Sequence, residues 1–229
     1  IFSNQLSYNP KNNAWGDLTV VAESTPMATP SFNHTALLTP AADTVILGGR
    51  NCEFSPDADC LRAVMRFSTA TVDRIGIPVY RGTDGRDTWP AGKELNSKRA
   101  FHTSTLLSYG GILTCGGSDG VRPLATCELM DPLTKEWAVT GSMNSTRANH
   151  TATLLPNGTV LAAGGITPDG IAVNSAEIYY PDTRRWVPTS SMAQVRQLHT
   201  ATLMPDGNVL VTGGAAPSTY SATAELYIS

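Results

Sequence analysis

The feature that most constrains the fold is a repeated spacing between histidine and glycine. Each of the four histidines is followed fourteen residues later by the first glycine of a Gly-Gly pair. The pairs are His34 with Gly48, His102 with Gly116, His150 with Gly164, and His199 with Gly213. The histidines are 68, 48 and 49 residues apart, so the unit is close to 48 residues and the first unit carries about twenty more. A period of 20–50 residues is typical of solenoids, propellers and other repeat arrays.

Other residues follow the same period. A tryptophan precedes each histidine, by nineteen residues in the first unit and by thirteen in the others: Trp15, Trp89, Trp137 and Trp186. An apolar residue lies seven positions before each histidine: Met27, Leu95, Met143 and Met192. Three units place an arginine three positions before it: Arg99, Arg147 and Arg196. The repeat therefore includes residues of several chemical types at fixed offsets.

The third unit predicts β strands. Residues 150–155 alternate between apolar and polar, Pro156-Asn-Gly-Thr159 is a turn signal, and residues 160–165 form a second apolar run. Residues 175–180 and 185–188 predict a third and a fourth strand. Since no segment has a helical period over a dozen residues, we expect an all-β chain with a four-stranded sheet in each unit.

Four strands at this period, with Gly-Gly and tryptophan at fixed offsets, are typical of one propeller blade. The phrases Arg-x-x-His-Thr-Ala-Thr-Leu at 147–154 and Val-Leu-Val-Thr-Gly-Gly at 209–214 resemble kelch repeats and are similar to the propeller of galactose-oxidase-like proteins. The resemblance implies a kelch-type β-propeller, either a single domain over 1–229 or a four-unit part of a larger one. We expect the units to be 16–89, 90–137, 138–186 and 187–229, with residues 1–15 completing a blade.

The chain ends are offset within this pattern. Residues 4–10 followed by Trp15 match a third and a fourth strand, whereas residues 223–229 match a third strand. We expect the Trp15 strand to complete the His199 blade, which leaves one third strand surplus. That strand is expected to pair with a neighbouring molecule, or the chain is part of a larger propeller. Because the sequence begins with Ile1 and its first residues do not have the basic-then-apolar pattern of a leader, we also expect a processed product or an excised segment.

Cysteines and sequons favour an extracellular or cell-surface protein. The four cysteines form two close pairs without a Cys-x-x-Cys motif, which favours two disulfides over zinc: Cys52 with Cys60, and Cys115 with Cys127. Four Asn-x-Ser/Thr sequons predict N-glycosylation: Asn33, Asn144, Asn149 and Asn157. We expect Asn157, on a hairpin turn, and Asn144, in a loop between blades, to be accessible. Asn33 and Asn149 directly precede repeat histidines, which makes their glycosylation less certain.

Composition and motifs exclude several function classes. The net charge is −3 and there is no basic tract, which disfavours nucleic acid and anionic membranes as partners. The apolar runs are much shorter than the ~20 residues of a membrane span. The sequence lacks the motifs of the α/β-hydrolases, of the P-loop and dinucleotide-binding folds, and of the zincins.

Residues that recur in every unit are interpreted as structural. We expect each of the four histidines to hydrogen-bond either backbone or a neighbouring blade and not to form a ring of metal ligands, and we expect no cofactor. Glu128, Glu177 and Glu225 recur at one position of the third strand and are also read as scaffold. For the arginines two interpretations stay open, namely bridging of neighbouring blades and lining of a ligand-binding face.

The sequence therefore predicts a non-enzymatic extracellular interaction or structural glycoprotein that assembles with itself through an unmatched terminal strand. The contact surface is expected where the first unit departs from the repeat, at residues 51–59 and 71–86. One alternative, implied by the resemblance, is the propeller portion of a secreted copper-radical oxidase whose catalytic residues lie partly in a further domain. A carbohydrate-binding lectin is the other alternative.

Overall fold

The computed structural model describes residues 94–216 and 219–229, and before residue 94 it describes strands only. All its elements are β strands, in chain order: β1 Leu6–Asn9, β2 Ala14–Asp17, β3 Thr35–Leu38, β4 Thr44–Leu47, β5 Met65–Ser68, β6 Thr71–Val72, β7 Pro78–Val79, β8 Thr103–Leu106, β9 Ile112–Cys115, β10 Cys127–Met130, β11 Trp137–Thr140, β12 Thr151–Leu154, β13 Val160–Ala163, β14 Ala176–Tyr180, β15 Arg185–Thr189, β16 Thr200–Leu203, β17 Val209–Thr212, β18 Ala215–Ala216, β19 Thr219–Tyr220 and β20 Ala224–Tyr227. The expected all-β class is confirmed.

Fourteen of the twenty described strands form four larger sheets with one repeated strand order. Sheet 1 contains β3, β4 and β5, and sheet 2 contains β8 to β11. Sheet 3 contains β12 to β15, and sheet 4 contains β16, β17 and β20. Strands that are neighbours in a sheet are antiparallel. The expected four-stranded antiparallel sheet is confirmed in the second and third units, and β1–β2, β6–β7 and β18–β19 form separate two-stranded sheets.

A tight turn joins the first two strands of sheets 2, 3 and 4. In sheet 3 the N–H of Leu155 donates to the carbonyl of Thr159 over 2.8 Å, and the turn between them contains Gly158 at a φ of +85°. A residue with a side chain adopts that backbone conformation only at a cost, so glycine is favoured there. The Asn157 side chain completes the turn by accepting the N–H of Thr159 at 3.1 Å.

The sheets lie in series, with their first strands next to one another. β3 contacts β8, β8 contacts β12, and β12 contacts β16. Side chains of alternate residues in β13 therefore face opposite neighbours. Val160 and Ala162 pack in a cluster with sheet 2, whereas Leu161 and Ala163 pack in a cluster with sheet 4. Because both faces of the strand are covered, β13 is apolar throughout and its four residues are buried.

This arrangement fits a kelch-type propeller. β1 pairs with β2, which places Tyr8 opposite Trp15, and β20 forms the outer edge of sheet 4 among the described strands. Completion of sheet 4 by the Trp15 strand, the number of blades and the unit boundaries stay predictions. Within the described part of the chain, no helix is long and apolar enough to span a membrane.

Candidate functional site: the sheet junctions and the open outer edge

Each described repeat unit contains a buried arginine paired with the glutamate of its own third strand. The distances between Nη2 and Oε1 are 2.7 Å for Arg99 and Glu128, 2.7 Å for Arg147 and Glu177, and 2.6 Å for Arg196 and Glu225. All three arginine side chains are inaccessible to solvent. The sequence left bridging and ligand binding open for these arginines, and the structure instead places each guanidinium inside its own sheet.

The cluster around Arg147 has a partner for most of its polar atoms. Nη1 of Arg147 donates to the carbonyls of Gly164 and Ser175, each at 2.9 Å. Oε2 of Glu177 accepts the backbone N–H of Asn144 at 2.6 Å and its side-chain Nδ2 at 2.7 Å. Burial by itself would raise the pKa of the Glu177 carboxyl, but the N–H groups of Asn144 and the guanidinium of Arg147 outweigh it and lower the pKa. Glu177 is therefore an anion held by the scaffold.

The histidines link neighbouring sheets. Nε2 of a histidine shares a hydrogen bond with the first threonine of the preceding sheet: His102 with Thr35 at 3.1 Å, His150 with Thr103 at 2.9 Å, and His199 with Thr151 at 2.9 Å. Burial lowers the pKa of His150 well below its usual value, and it lowers the pKa of His199 to about 4. Both rings are therefore neutral at pH 7.

The glycine pairs allow neighbouring sheets to approach closely. Gly116 and Gly164 have a φ of +65°, and a Cβ at either position would lie 2.5 Å from the carbonyl oxygen of the next unit's arginine, Arg147 or Arg196. The Cε1 atom of the next histidine would be 2.8 Å from a Cβ on Gly116. The recurring histidine and Gly-Gly positions thus meet across a junction, each contacting the adjacent unit.

On the face of sheet 4 that corresponds to a junction, the described residues provide no such cover. Among them, the nearest atom to a Cβ at Gly213 would be the carbonyl oxygen of Ser221, at 3.8 Å. Thr200 is exposed and bonds Thr212 of its own sheet at 2.8 Å. Leu203 is 41% exposed. Sheet 3 packs on the equivalent face of sheet 2, and sheet 4 packs on that of sheet 3. Among the described residues, no sheet packs on this face of sheet 4.

The outer edge of sheet 4 also differs from those of sheets 2 and 3. No described strand lies beyond β20, in the place that β11 and β15 occupy in their sheets. Glu225 is accordingly 21% exposed, against 3% for Glu177. Leu226 and Ile228 are 52% and 78% exposed. We call residues 224–229 the open edge.

Two tryptophans and two cysteines lie in the core, namely Trp137, Trp186, Cys115 and Cys127. Trp186 packs on Tyr179 with ring centroids 5.1 Å apart, and its Nε1 donates to the carbonyl of Gly141 at 3.1 Å. The predicted Cys115–Cys127 disulfide is confirmed, with the two residues paired across β9 and β10 and their Cα atoms 4.2 Å apart. No group of three or more histidine, cysteine, aspartate or glutamate side chains in the described ranges is arranged to hold a metal ion.

Several predicted residues lie outside the described part of the chain. They are His34, Gly48, Trp89, Asn33, Cys52 and Cys60, and the first expected contact segment, 51–59. The second segment, 71–86, is described only in its strands β6 and β7. The roles predicted for these residues and segments from the sequence therefore stay predictions.

The three described sequons occupy different environments. Nδ2 of Asn144 is bound to Glu177, as above. Nδ2 of Asn149 donates to Oε1 of Gln197 at 3.1 Å, and its backbone carbonyl accepts the N–H of Leu198 at 3.0 Å, so this residue lies in the junction between sheets 3 and 4. Asn157 lies in the exposed turn between β12 and β13.

Comparison with known proteins agrees with this geometry. The family model described as the Kelch motif matches residues 100–144 and 147–193, which include sheets 2 and 3. No curated protein has a significant match to the chain. Together with the antiparallel sheets, the motif supports a kelch-repeat β-propeller, and kelch repeats suggest a protein-interaction module. The resemblance to galactose-oxidase-like proteins stays a prediction.

Proposed function

We propose that this chain is a non-enzymatic extracellular interaction module that binds a second copy of itself through the open edge, residues 224–229, in place of the completion of sheet 4 by the Trp15 strand of the same molecule. The observation that carries the proposal is that, in the described part of the chain, no strand pairs with the outer side of β20. In sheets 2 and 3 the same side of the third strand is hydrogen-bonded to β11 and β15. An unpaired strand edge presents backbone donors and acceptors that another extended chain can bind.

The side chains of the open edge favour such a contact. Residues of β20 alternate between exposed and half-buried, as expected for a strand with one free face. Leu226 and Ile228 supply exposed apolar surface, and no lysine, arginine or proline occurs in residues 224–229 to protect the edge. Two such edges related by a two-fold axis pair in antiparallel orientation.

A further difference supports a partner strand from outside the sheet. In sheets 2 and 3 an asparagine side chain donates to the carbonyl of the fourth-strand tryptophan, from Asn96 to Trp137 at 3.2 Å and from Asn144 to Trp186 at 3.3 Å. In sheet 4 the corresponding residue is Ala193, which has no side-chain donor. Sheet 4 therefore lacks one anchor that holds a permanent fourth strand.

The extracellular location rests on the cysteine chemistry. Cys115 and Cys127 form a disulfide between adjacent strands. Such structural disulfides form and persist mainly in oxidising compartments, which include the extracellular space.

Sedimentation equilibrium of the chain over a range of concentrations tests the proposal. We expect a monomer–dimer equilibrium that the double substitution Leu226→Lys with Ile228→Lys weakens at least tenfold, because it places like charges opposite each other across the paired edges. Leu133→Lys is the matched control, since Leu133 is 89% exposed in a turn of sheet 2. A wild-type chain that stays monomeric, or equal weakening by the control, would overturn the proposal.

A further inference from the structure

The three described sequons differ in what their side-chain amide nitrogen does. N-glycosylation replaces one hydrogen of Asn Nδ2 with a sugar, so the folded protein must be able to release that hydrogen. Exposure alone does not separate the candidates, because Asn144 and Asn157 are both exposed residues. The hydrogen bonds of Nδ2 do separate them.

Asn144 uses its amide as a structural donor. Nδ2 donates to Oε2 of Glu177 at 2.7 Å and to the carbonyl of Trp186 at 3.3 Å, which engages both of its hydrogens. Asn96 makes the same two bonds in sheet 2, to Glu128 and Trp137, although residues 96–98 are not a sequon. The asparagine at this position is therefore explained by the repeat, and a glycan on Nδ2 would remove one of these two hydrogen bonds.

Asn149 is constrained in a similar way. Its φ is +57°, and Phe101 and Leu198 have φ values of +58° and +55° at the equivalent positions before their histidines. Its Nδ2 donates to Gln197 of the next unit at 3.1 Å. A sugar on this nitrogen would have to fit into the junction between sheets 3 and 4.

Asn157 uses only its oxygen. Oδ1 accepts the backbone N–H of Thr159 at 3.1 Å and its hydroxyl at 2.7 Å. In sheet 4, Asp206 builds the same turn, its Oδ1 accepting the N–H of Asn208 at 3.1 Å. Since aspartate has no amide nitrogen, the turn does not require Nδ2. The nitrogen of Asn157 is therefore available on an exposed turn.

We propose that Asn157 is the N-glycosylation site among the described sequons and that Asn144 and Asn149 stay unmodified in the folded protein. The sugar donor is a lipid pyrophosphate-linked oligosaccharide. A bond forms between Nδ2 of Asn157 and the anomeric carbon while the bond from that carbon to the pyrophosphate oxygen breaks. The amide gives up one proton and the lipid pyrophosphate leaves. This inference depends on the extracellular location given above, but not on dimerisation.

Peptide mapping of the chain secreted from eukaryotic cells tests the proposal. Enzymatic release of N-glycans in ¹⁸O-water converts each occupied asparagine to ¹⁸O-labelled aspartate, which mass spectrometry assigns to a position. We expect label at residue 157 and none at 144 or 149. Secreted chain without label at 157, or with label at 144, would overturn the assignment.

Two aspartate variants separate modification from folding. Asn157→Asp keeps the turn, as Asp206 shows, so it should remove the label without changing the thermal unfolding of the deglycosylated chain. Asn144→Asp places a carboxylate against Glu177, so it should leave the label at 157 in place and lower the unfolding temperature. If Asn157→Asp destabilised the chain as much as Asn144→Asp, the turn would need Nδ2 and the proposal would be wrong. A labelled monomer would contradict the proposed dimer while supporting this inference.

Discussion

Sheets 3 and 4 have nearly the same sequence pattern in different surroundings. A Cβ on Gly164 of sheet 3 would lie 2.5 Å from the carbonyl oxygen of Arg196 in the next unit, whereas among the described residues a Cβ on the equivalent Gly213 would come no closer than 3.8 Å, to the carbonyl oxygen of Ser221. A fourth strand covers Glu177, and no described strand covers Glu225 in the same way. The arginine–glutamate pair therefore forms within a single unit. The junction forms only where a neighbouring unit packs against the sheet.

The same comparison explains why sheet 4 is the candidate interaction surface. A repeat sheet cannot bury both of its faces alone, and its neighbours normally cover them. Among the described residues, the positions of sheet 4 that are equivalent to junction positions of sheets 2 and 3 contact no further sheet, and for this reason we propose that sheet 4 binds a partner.

Breaking the arginine–glutamate pair should have the largest effect and should distinguish the two sheets. Glu177→Gln leaves the guanidinium of Arg147 buried without its counter-charge, and we expect a loss of about 3–5 kcal/mol in the free energy of unfolding. Glu225→Gln should cost about half as much or less, because Glu225 is 21% exposed and water screens the charge that remains.

Urea unfolding of the two glutamine variants and the wild type measures the difference. Because the substitution is the same in both, its intrinsic effects cancel in the comparison. Equal losses at the two positions would show that the fourth strand does not shield the pair.

Substituting the glycines gives a smaller effect that reports on the junction alone. Gly164→Ala combines a positive φ with a Cβ too close to the Arg196 carbonyl, and we expect a loss of about 2–4 kcal/mol. Gly213→Ala has the strained φ of +67° without the collision, so a loss of about 1–2 kcal/mol is expected.

Thermal and urea unfolding of both alanine variants would check this order. If Gly213→Ala were as destabilising as Gly164→Ala, then sheet 4 in solution would have a neighbour packed against it, and its open face would not exist.

Much of the fold could be predicted because the same residue pattern occurs in each of the four units. Histidine, Gly-Gly and tryptophan at fixed offsets indicated the sheets, and the register of Cys115 opposite Cys127 followed from the strand positions. The arginine–glutamate pairs were missed although a signal was present. Arg99 and Glu128 are 29 residues apart, as are Arg196 and Glu225, and Arg147 and Glu177 are 30 apart. A nearly constant separation between opposite charges indicates a contact inside the unit.

The difference between the sequons could not be predicted. The sequence places Asn144 and Asn157 in loops with no local sign that one amide is bound. The partners of Asn144, Glu177 and the carbonyl of Trp186, are more than thirty residues away along the chain. Only the tertiary structure shows that its side chain serves the third and fourth strands.

The closed junctions also give the stability of the chain a pH dependence. His199 has a pKa of about 4 in the folded chain, and its ordinary value is 6.5. Between these values the unfolded chain binds more protons, so the stability contributed by the neutral ring is complete above pH 6.5 and is lost as the pH falls towards 4. We expect His199→Gln to reduce the slope of unfolding free energy against pH in that window by up to one proton.

Thr151→Val is the matched control, because it removes the hydrogen-bond partner of His199 and leaves the buried ring in place. It should lower stability by about 1 kcal/mol at pH 7 and keep most of the slope. Thr200→Val makes the same substitution in sheet 4, where no described histidine contacts the threonine. It should change the stability at pH 7 and the slope of the unfolding free energy against pH by less than Thr151→Val does. A slope that is unchanged in His199→Gln would mean that the junction between sheets 3 and 4 admits water and that His199 titrates there as it does in the unfolded chain.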